Sequence, residues 1–284
     1  MRETWAKAAV VRVRGALGAM ALFGAGAVGA CGDDGSDPVI ESVPCDPAAD
    51  PRGAPLACAA GAIVASDGTP AAGVRVSACT LQTCIIGTTD ANGRYAIQSL
   101  PVVPHKMEIL GNPKGFMTMV YHQEMTPGML AVAPREVVLP RLGQENVAWP
   151  SSGGTAVVAG GKLELSSTAG DVSYPIGTED ESLDVAVMPI DDLPPFDNEP
   201  WVGKESKSFA FVVNPFPMKV EGAIGLKVLG AKAKAGAPYR LYSADHLAGT
   251  LHEVGSLVAD DQGDIVLQPG ATLEDLTTIV IAPN

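Results

Sequence analysis

The sequence predicts an all-β protein: two consecutive β-sandwich domains that follow an N-terminal export segment and a polar tether. Three observations carry this. Short apolar or alternating segments recur at close spacing from residue 56 onward, as in a chain of short strands. Turn formers are abundant, with 32 Gly and 23 Pro in 284 residues. No apolar pattern of period 3.6 runs beyond the first thirty residues, so long helices are not expected.

Residues 1–30 read as a signal peptide. Arg2, Lys7, Arg12 and Arg14 precede sixteen uncharged residues, "GALGAMALFGAGAVGA". That stretch is short for a membrane-spanning helix and suits a signal h-region. It ends in "VGAC", Val28 to Cys31. The tetrad resembles a bacterial lipobox. The resemblance implies cleavage before Cys31 and lipid attachment on its sulfur. An ordinary secretory cut after Ala30, with Cys31 in a disulfide, is the competing reading. Gly32 rather than Asp follows the cysteine. By resemblance to the sorting rule of enteric bacteria, this places the protein at the outer membrane of a bacterial envelope, facing the periplasm or the surface.

Cleavage would remove four basic groups and one acid, taking the net charge from −13 to −16. Residues 31–55 begin "CGDDGSD" and carry five prolines, Pro38, Pro44, Pro47, Pro51 and Pro55. Such a segment cannot bury apolar surface or sit inside a sheet, so it reads as a flexible acidic tether.

Four further cysteines, Cys45, Cys58, Cys79 and Cys84, form an even set in an exported chain, which favours disulfides. "GVRVSAC" and "CIIGTTD" alternate like strands. A four-residue link, Thr80 to Thr83, would close them as a hairpin with Cys79 opposite Cys84. Cys45–Cys58 would then staple the incoming segment to the first strand. Neither zinc-ligand spacing nor a redox C-x-x-C is present.

Residues 56–141 form the first expected domain. Its strands are "GAIVAS", "GVRVSAC", "CIIGTT", "RYAIQSL", "KMEIL", "MTMVYHQ" and "EVVLP", separated by Asp67-Gly68, Asn92-Gly93, Gly111-Asn112-Pro113 and Pro127-Gly128. Seven short strands at this spacing suit a β-sandwich. In "TTDANGRY" (88–95), Asn92-Gly93 tolerates positive φ and Asp90 can cap the turn. A calcium loop would need further oxygen ligands where Arg94 and Tyr95 begin a strand.

The stretch "GAIVASDGTPAAGVRV…IGTTDANGRYAIQSLPVV" resembles the carboxypeptidase regulatory-like domain. Gly61, Gly68, Pro70, Gly73, Val76, Thr88, Asp90, Gly93, Tyr95, Leu100 and Pro101 carry the resemblance. It covers residues 58–140 and implies a small transthyretin-like sandwich without catalytic activity of its own. The cysteine pair is an addition to that pattern.

Residues 142–154, "LGQENVAWPSSGG", read as a linker by their polar and Gly/Ser content. Residues 155–284 hold "KLELSS", "LDVAVMPI", "SFAFVVNPF", "AIGLKVLG", "YRLYSAD", "TLHEVGSLV", "DIVLQPG" and "TTIVIAP", a second sandwich. Their order weakly resembles ZU5/UPA-type β-sandwich modules of extracellular assemblies.

An acidic chain argues against nucleic-acid binding, which wants a basic stripe. "HLAGTLHE" supplies His246, His252 and Glu253 but lacks H-E-x-x-H on a helix. A hydrolase with a dispersed site near His246 and His252 is therefore an alternative and not the main reading. Residues 105–129 hold Met107, Met117, Met119, Met125 and Met129 with His105 and His122. Thioether and imidazole suit copper(I), so a copper or ligand carrier is a second alternative. Strand alternation puts Met117, Met119 and Tyr121 on one face, where pliable Met simply fills a core, and Thr118, Val120 and His122 on the other. "DDQGD" (260–264) and Asp180/Glu181 are carboxylate-rich, but the full calcium-loop set is missing. The sequence thus points to a non-enzymatic, lipid-anchored envelope protein for binding, adhesion or assembly, needing no cofactor. Its membrane contact would be the lipid on Cys31, and its partner an envelope protein or polysaccharide.

Overall fold

The computed structural model describes residues 56–176, 178 and 181–284. The expected signal peptide, Cys31, Cys45, the tether and Asp180 lie outside the described residues. The described chain is all-β.

The first sandwich comprises β1 (Leu56–Ala65), β2 (Arg75–Cys79), β3 (Cys84–Thr88), β4 (Arg94–Pro101), β5 (His105–Leu110), β6 (Met119–Gln123), β7 (Leu130–Val132) and β8 (Val137–Leu139). One sheet runs β4-β1-β7, with β8 also paired to β1; the other runs β3-β2-β5-β6. β7 and β8 lie parallel to β1, beside its first and second halves respectively. Ile63, Val76, Tyr95, Ile97, Met107, Ile109 and Leu139 fill the space between the sheets. Buried Tyr95 and Tyr121 share a hydroxyl–hydroxyl hydrogen bond of 2.7 Å. Gly61 makes room for it, since a Cβ there would lie 2.7 Å from the Tyr95 oxygen.

The Asp90 turn forms as its residue types dictate. One carboxylate oxygen accepts the N–H groups of Asn92 (2.8 Å) and Arg94 (2.9 Å). Gly93 has φ +73°, and a Cβ on it would come within 2.3 Å of the Ile63 carbonyl. The same pattern recurs at Asp260, which accepts from Gln262 and Asp264 before the strand Ile265–Leu267, with Gly263 at φ +81°.

The second part holds β9 (Val147–Ala148), β10 (Gly153–Val158), β11 (Leu163–Thr168), β12 (Val172–Ser173), β13 (Ser182–Met188), β14 (Phe209–Asn214), β15 (Met218–Val220), β16 (Ile224–Val228), β17 (Pro238–Ala244), β18 (Leu251–Ala259), β19 (Ile265–Leu267), β20 (Asp275–Leu276) and β21 (Thr278–Pro283). Ten strands make one sheet, β10-β11-β16-β19-β18-β17-β21-β14-β13-β9, and β12-β15-β20 form a small second sheet. The large sheet curls so that β10, at one edge, reaches β13 near the other. Trp149, Leu165, Leu226, Leu257 and Ile265 pack inside the curl.

β14 and β21 are buried on both faces. Phe211, Val213, Ile279 and Ile281 point into the curled sheet. Ala210, Val212, Val280 and Ala282 point the other way, into the same core as Met119, Val120 and Tyr121 of the first sandwich. This is why "FAFVV" and "TIVIA" are continuous apolar runs and do not alternate. Two further contacts lock the joint. The Arg135 guanidinium donates to the carbonyls of Leu193 (2.9 Å) and Pro194 (3.0 Å) and to the Glu199 carboxylate. Gly249, at φ +73°, lies so close to the Tyr121 carbonyl that a Cβ would sit 2.5 Å from it.

Residues 142–154 are woven into the second part, where composition had suggested a linker. The N–H groups of Gly143 and Glu145 donate to the buried Asp184 carboxylate. Glu145 in turn accepts from Ala159 (2.6 Å) and Gly160. Trp149 is fully buried and donates its indole N–H to Gly154. The polar residues here answer backbone groups, and the glycines serve turns.

Because the core is continuous, calorimetry is expected to show one cooperative transition for the folded region. Val212→Ala should lower its stability by about 2–3 kcal/mol without splitting it; two separate endotherms would contradict the shared core. The buried phenols give a second expectation. Burial raises Tyr95 to about 12 and pushes Tyr121 well up also. Folding therefore favours the neutral phenols, and this stability is full below pH 10 and fades as pH climbs toward the folded values. Phenolate absorbance should rise together with unfolding; a titration of Tyr95 and Tyr121 centred at 10 with unchanged circular dichroism would contradict this.

Candidate functional site

A cleft of about 290 Å³ opens where the β17–β18 turn meets β15 and β20. Its walls include Lys219, Asp245, His246, Leu247, His252, Thr272, Glu274 and Asp275. The register of the small sheet sets Lys219 opposite Asp275. The turn is shaped by Asp245, whose carboxylate accepts the N–H groups of Leu247 (2.7 Å) and Ala248 (3.2 Å). Gly249, packed on Tyr121, fixes that turn against the first sandwich. Beneath it, Ser243 donates to the Asp275 carbonyl and Thr277 donates to the Ala244 carbonyl, tying β17 to the β20–β21 segment.

Asp275 is the centre of the cleft and is buried. One of its oxygens bonds His246 Nδ1 at 2.5 Å. The other lies 2.6 Å from the Lys219 ammonium. That second contact is an ion pair whose angles are not those of a hydrogen bond. A carboxylate facing Nδ1 holds the proton there, leaving Nε2 as the acceptor of the neutral ring. His252 Nε2 bonds the Thr250 hydroxyl at 2.7 Å and lies 4.0 Å from the Asp245 carboxylate. The arrangement can hold a polar ligand through donors and acceptors on a fixed frame. A His–carboxylate dyad can also move a proton. Among the described residues, no serine, threonine or cysteine side chain is hydrogen-bonded to His246.

The other residues singled out by sequence are deployed differently. Cys79 and Cys84 are disulfide-bonded across paired positions of β2 and β3. Cys58 is also disulfide-bonded; its expected partner, Cys45, lies outside the described residues. In the segment 105–129, Met107, Met117 and Met119 are fully buried core side chains and Met129 is exposed. His105 donates Nδ1–H to the Val103 carbonyl at 2.7 Å, and burial lowers its pKa. His122 pairs instead with Glu124 at 2.9 Å. Both faces are covered here, since Thr118 and Val120 are buried along with Met117, Met119 and Tyr121. The strands of the second part cover the other face of this edge strand. At 260–264, Lys227 places its ammonium 3.2 Å from Asp260 and 2.9 Å from Asp264, where a cation would have to bind. Glu181 accepts from the N–H and hydroxyl of Ser151. Among the described residues no group of three or more His, Cys, Asp or Glu is placed to hold a metal ion.

Lys219 and Asp275 were missed by sequence reasoning. Glu274 and Asp275 stand in the apolar run "LEDLTTIVIA", and an acid pair leading into a doubly buried strand was the available signal.

No family model matches the chain, and no curated protein matches it. Solved structures give distant likenesses. The TIE protein of Bacillus anthracis is 10% identical with TM-score 0.28, over 75% of this chain and 44% of its own. This chain thus spans less than half of that protein's length. A DUF3823 family protein of Bacteroides ovatus is 11% identical with TM-score 0.24, over 78% of this chain and 86% of its own. A putative carbohydrate binding protein of Bacteroides uniformis is 9% identical with TM-score 0.24, over 81% and 80%.

Nitrogen-15 NMR of the histidine rings should find neutral His246 protonated on Nδ1. A neutral ring protonated on Nε2 would contradict the Asp275 pairing.

Proposed function

We propose that the chain is a non-enzymatic, lipid-anchored protein of a bacterial envelope, held at the outer membrane through Cys31. It would bind an envelope protein or polysaccharide through the Asp275 cleft. The observation that carries the binding role is the buried Asp275 carboxylate, held by Lys219 and His246 on strands of a continuous core. Four carboxylates, Asp245, Glu253, Glu274 and Asp275, line the cleft against one ammonium, Lys219. That balance favours neutral hydroxyl-rich or cationic ligands over acidic ones. The basic n-region, apolar stretch and "VGAC" support the anchor. The Asp90 turn and the two four-stranded sheets support reading residues 58–140 as a carboxypeptidase regulatory-like domain.

One feature favours a second reading. His246 beside Asp275 in a cleft is the acid–base pair that a hydrolase near His246 and His252 would need. Hydrolysis of chromogenic esters or glycosides, abolished by His246→Ala, would establish that reading; the same slow background in both chains would remove it.

Metabolic labelling with radioactive palmitate tests the anchor. Label should enter the wild-type chain and be absent from Cys31→Ala; label persisting in the variant would refute the assignment. Titration of neutral and acidic polysaccharides tests the cleft. Binding of a neutral polymer should weaken at least roughly tenfold in both His246→Gln and Glu274→Gln, as a lost hydrogen bond to a charged group implies. Equal affinity in both variants would move the binding surface elsewhere.

A further inference from the structure

The two ends of the first sandwich differ in charge. At one end lie the β2–β3 tip (80–83), the β4–β5 loop (102–104) and the β6–β7 loop (124–129). Register brings them together. Cys79 pairs with both Cys84 and Lys106, Leu56 pairs with Pro101, and His105 pairs with Gln123. The β6–β7 loop is bonded to the start of β1 through Gly128 N–H to the Leu56 carbonyl and Cys58 N–H to the Met129 carbonyl.

The tips read "TLQT" (80–83), "PVVP" (101–104) and "MTPGML" (125–130). None of these tip residues is charged, in a chain where 18% are; Glu124, at the base of the β6–β7 loop, is the one charged residue in the three loops. Leu81 is 94% exposed, Val103 45% and Met129 57%. At their bases Lys106 is paired with Glu108, and the His122 ring bonds the Glu124 carboxylate. The opposite end carries Asp67, Asp90, Arg94, Lys114 and Arg141 in its turns.

Part of the backbone at this end is bonded within the protein, the N–H groups of Leu81, Met125 and Thr126 being left to solvent. The N–H groups of Thr80, Gln82, Thr83, Val103, Gly128 and Met129 are all bonded within the protein. Pro101, Pro104 and Pro127 have no N–H to satisfy. Unpaired amides are costly at a lipid surface, so a loop with few of them can rest in one. The Cys79–Cys84 disulfide closes the base of the Leu81 tip and holds it out. The chain enters the described region at this same end, at Leu56, and the sequence before it leads back to Cys31.

We infer that this end of the first sandwich is a membrane-docking face. Leu81, Val103 and Met129 enter the interfacial layer of the phospholipid leaflet, and the cleft faces away on the second sandwich. The location rests on the lipid-anchor reading; the chemistry of the face stands without it. An acidic chain gains nothing from anionic headgroups, so contact must come from apolar insertion, which is what uncharged tips supply.

The test places a fluorophore on the tip. Leu81→Trp is made in the chain beginning at Cys31, which lacks Trp5; Trp149 and Trp201 are buried. The chain is reconstituted in vesicles of phosphatidylethanolamine and phosphatidylcholine carrying brominated acyl chains. Emission from Leu81→Trp should fall by roughly half relative to unbrominated vesicles, as expected for an interfacial ring. Val202→Trp, an exposed apolar position on the second sandwich, should be unaffected. Adding Val103→Asp should reduce the quenching of Leu81→Trp. Unquenched Leu81→Trp overturns the docking face. If it is unquenched in vesicles yet blue-shifted in native envelope membranes, the face belongs to a protein partner and the lipid inference is likewise overturned. The anchor is read separately by palmitate. If Cys31 takes no label, the unlipidated chain is added to the same vesicles. Quenching there upholds the face without the anchor, and its absence overturns the face.

Discussion

The structure depends on two strands having no solvent face. β14 and β21 give Phe211, Val213, Ile279 and Ile281 to one core, and Ala210, Val212, Val280 and Ala282 to the other. A strand buried on both sides cannot choose which domain it stabilises. Loosening the first sandwich uncovers Val212 and Val280, and loosening the curled sheet uncovers their neighbours. Arg135 reinforces the joint by answering two carbonyls of the 189–201 loop that would otherwise end next to apolar surface. Gly249 does so by letting the cleft's own turn touch β6. The site and the domain joint are therefore mechanically one object.

Much of the fold was legible in the sequence, for local reasons. Asn92-Gly93 and the Asp90 cap are set by backbone sterics and short-range hydrogen bonds, so the turn forms as its residues dictate. The Cys79–Cys84 pairing follows from a four-residue hairpin link. The longer strands of both parts fall where apolar segments lie. What was illegible depended on tertiary partners. Residues 142–154 look like a linker because Gly143, Glu145 and Trp149 meet their distant partners only after Asp184 and Tyr174 are in place. Val120 reads as a residue on an open face until the second sandwich covers it. The two-residue strands β9, β12 and β20 carry no period at all.

The same logic divides the functional residues. His246 could be noticed by type, but its partners Asp275 and Lys219 come from β20 and β15, far along the chain. Carboxylates that looked like a calcium loop at 260–264 are neutralised by Lys227, again a distant residue. Four of the five methionines that suggested copper, Met107, Met117, Met119 and Met125, pack a core. What survives is the Asp275 cleft and, at the end of the first sandwich where Leu56 lies, a set of uncharged loop tips.

Native-state hydrogen exchange followed residue by residue tests the shared core most directly. Amides of β2 and β5, in the first sandwich, should open with the same free energy as those of β14 and β21, and with the same denaturant dependence. Exchange of β2 and β5 through a lower-energy opening, with β14 and β21 still protected, would contradict it and leave two independent domains side by side.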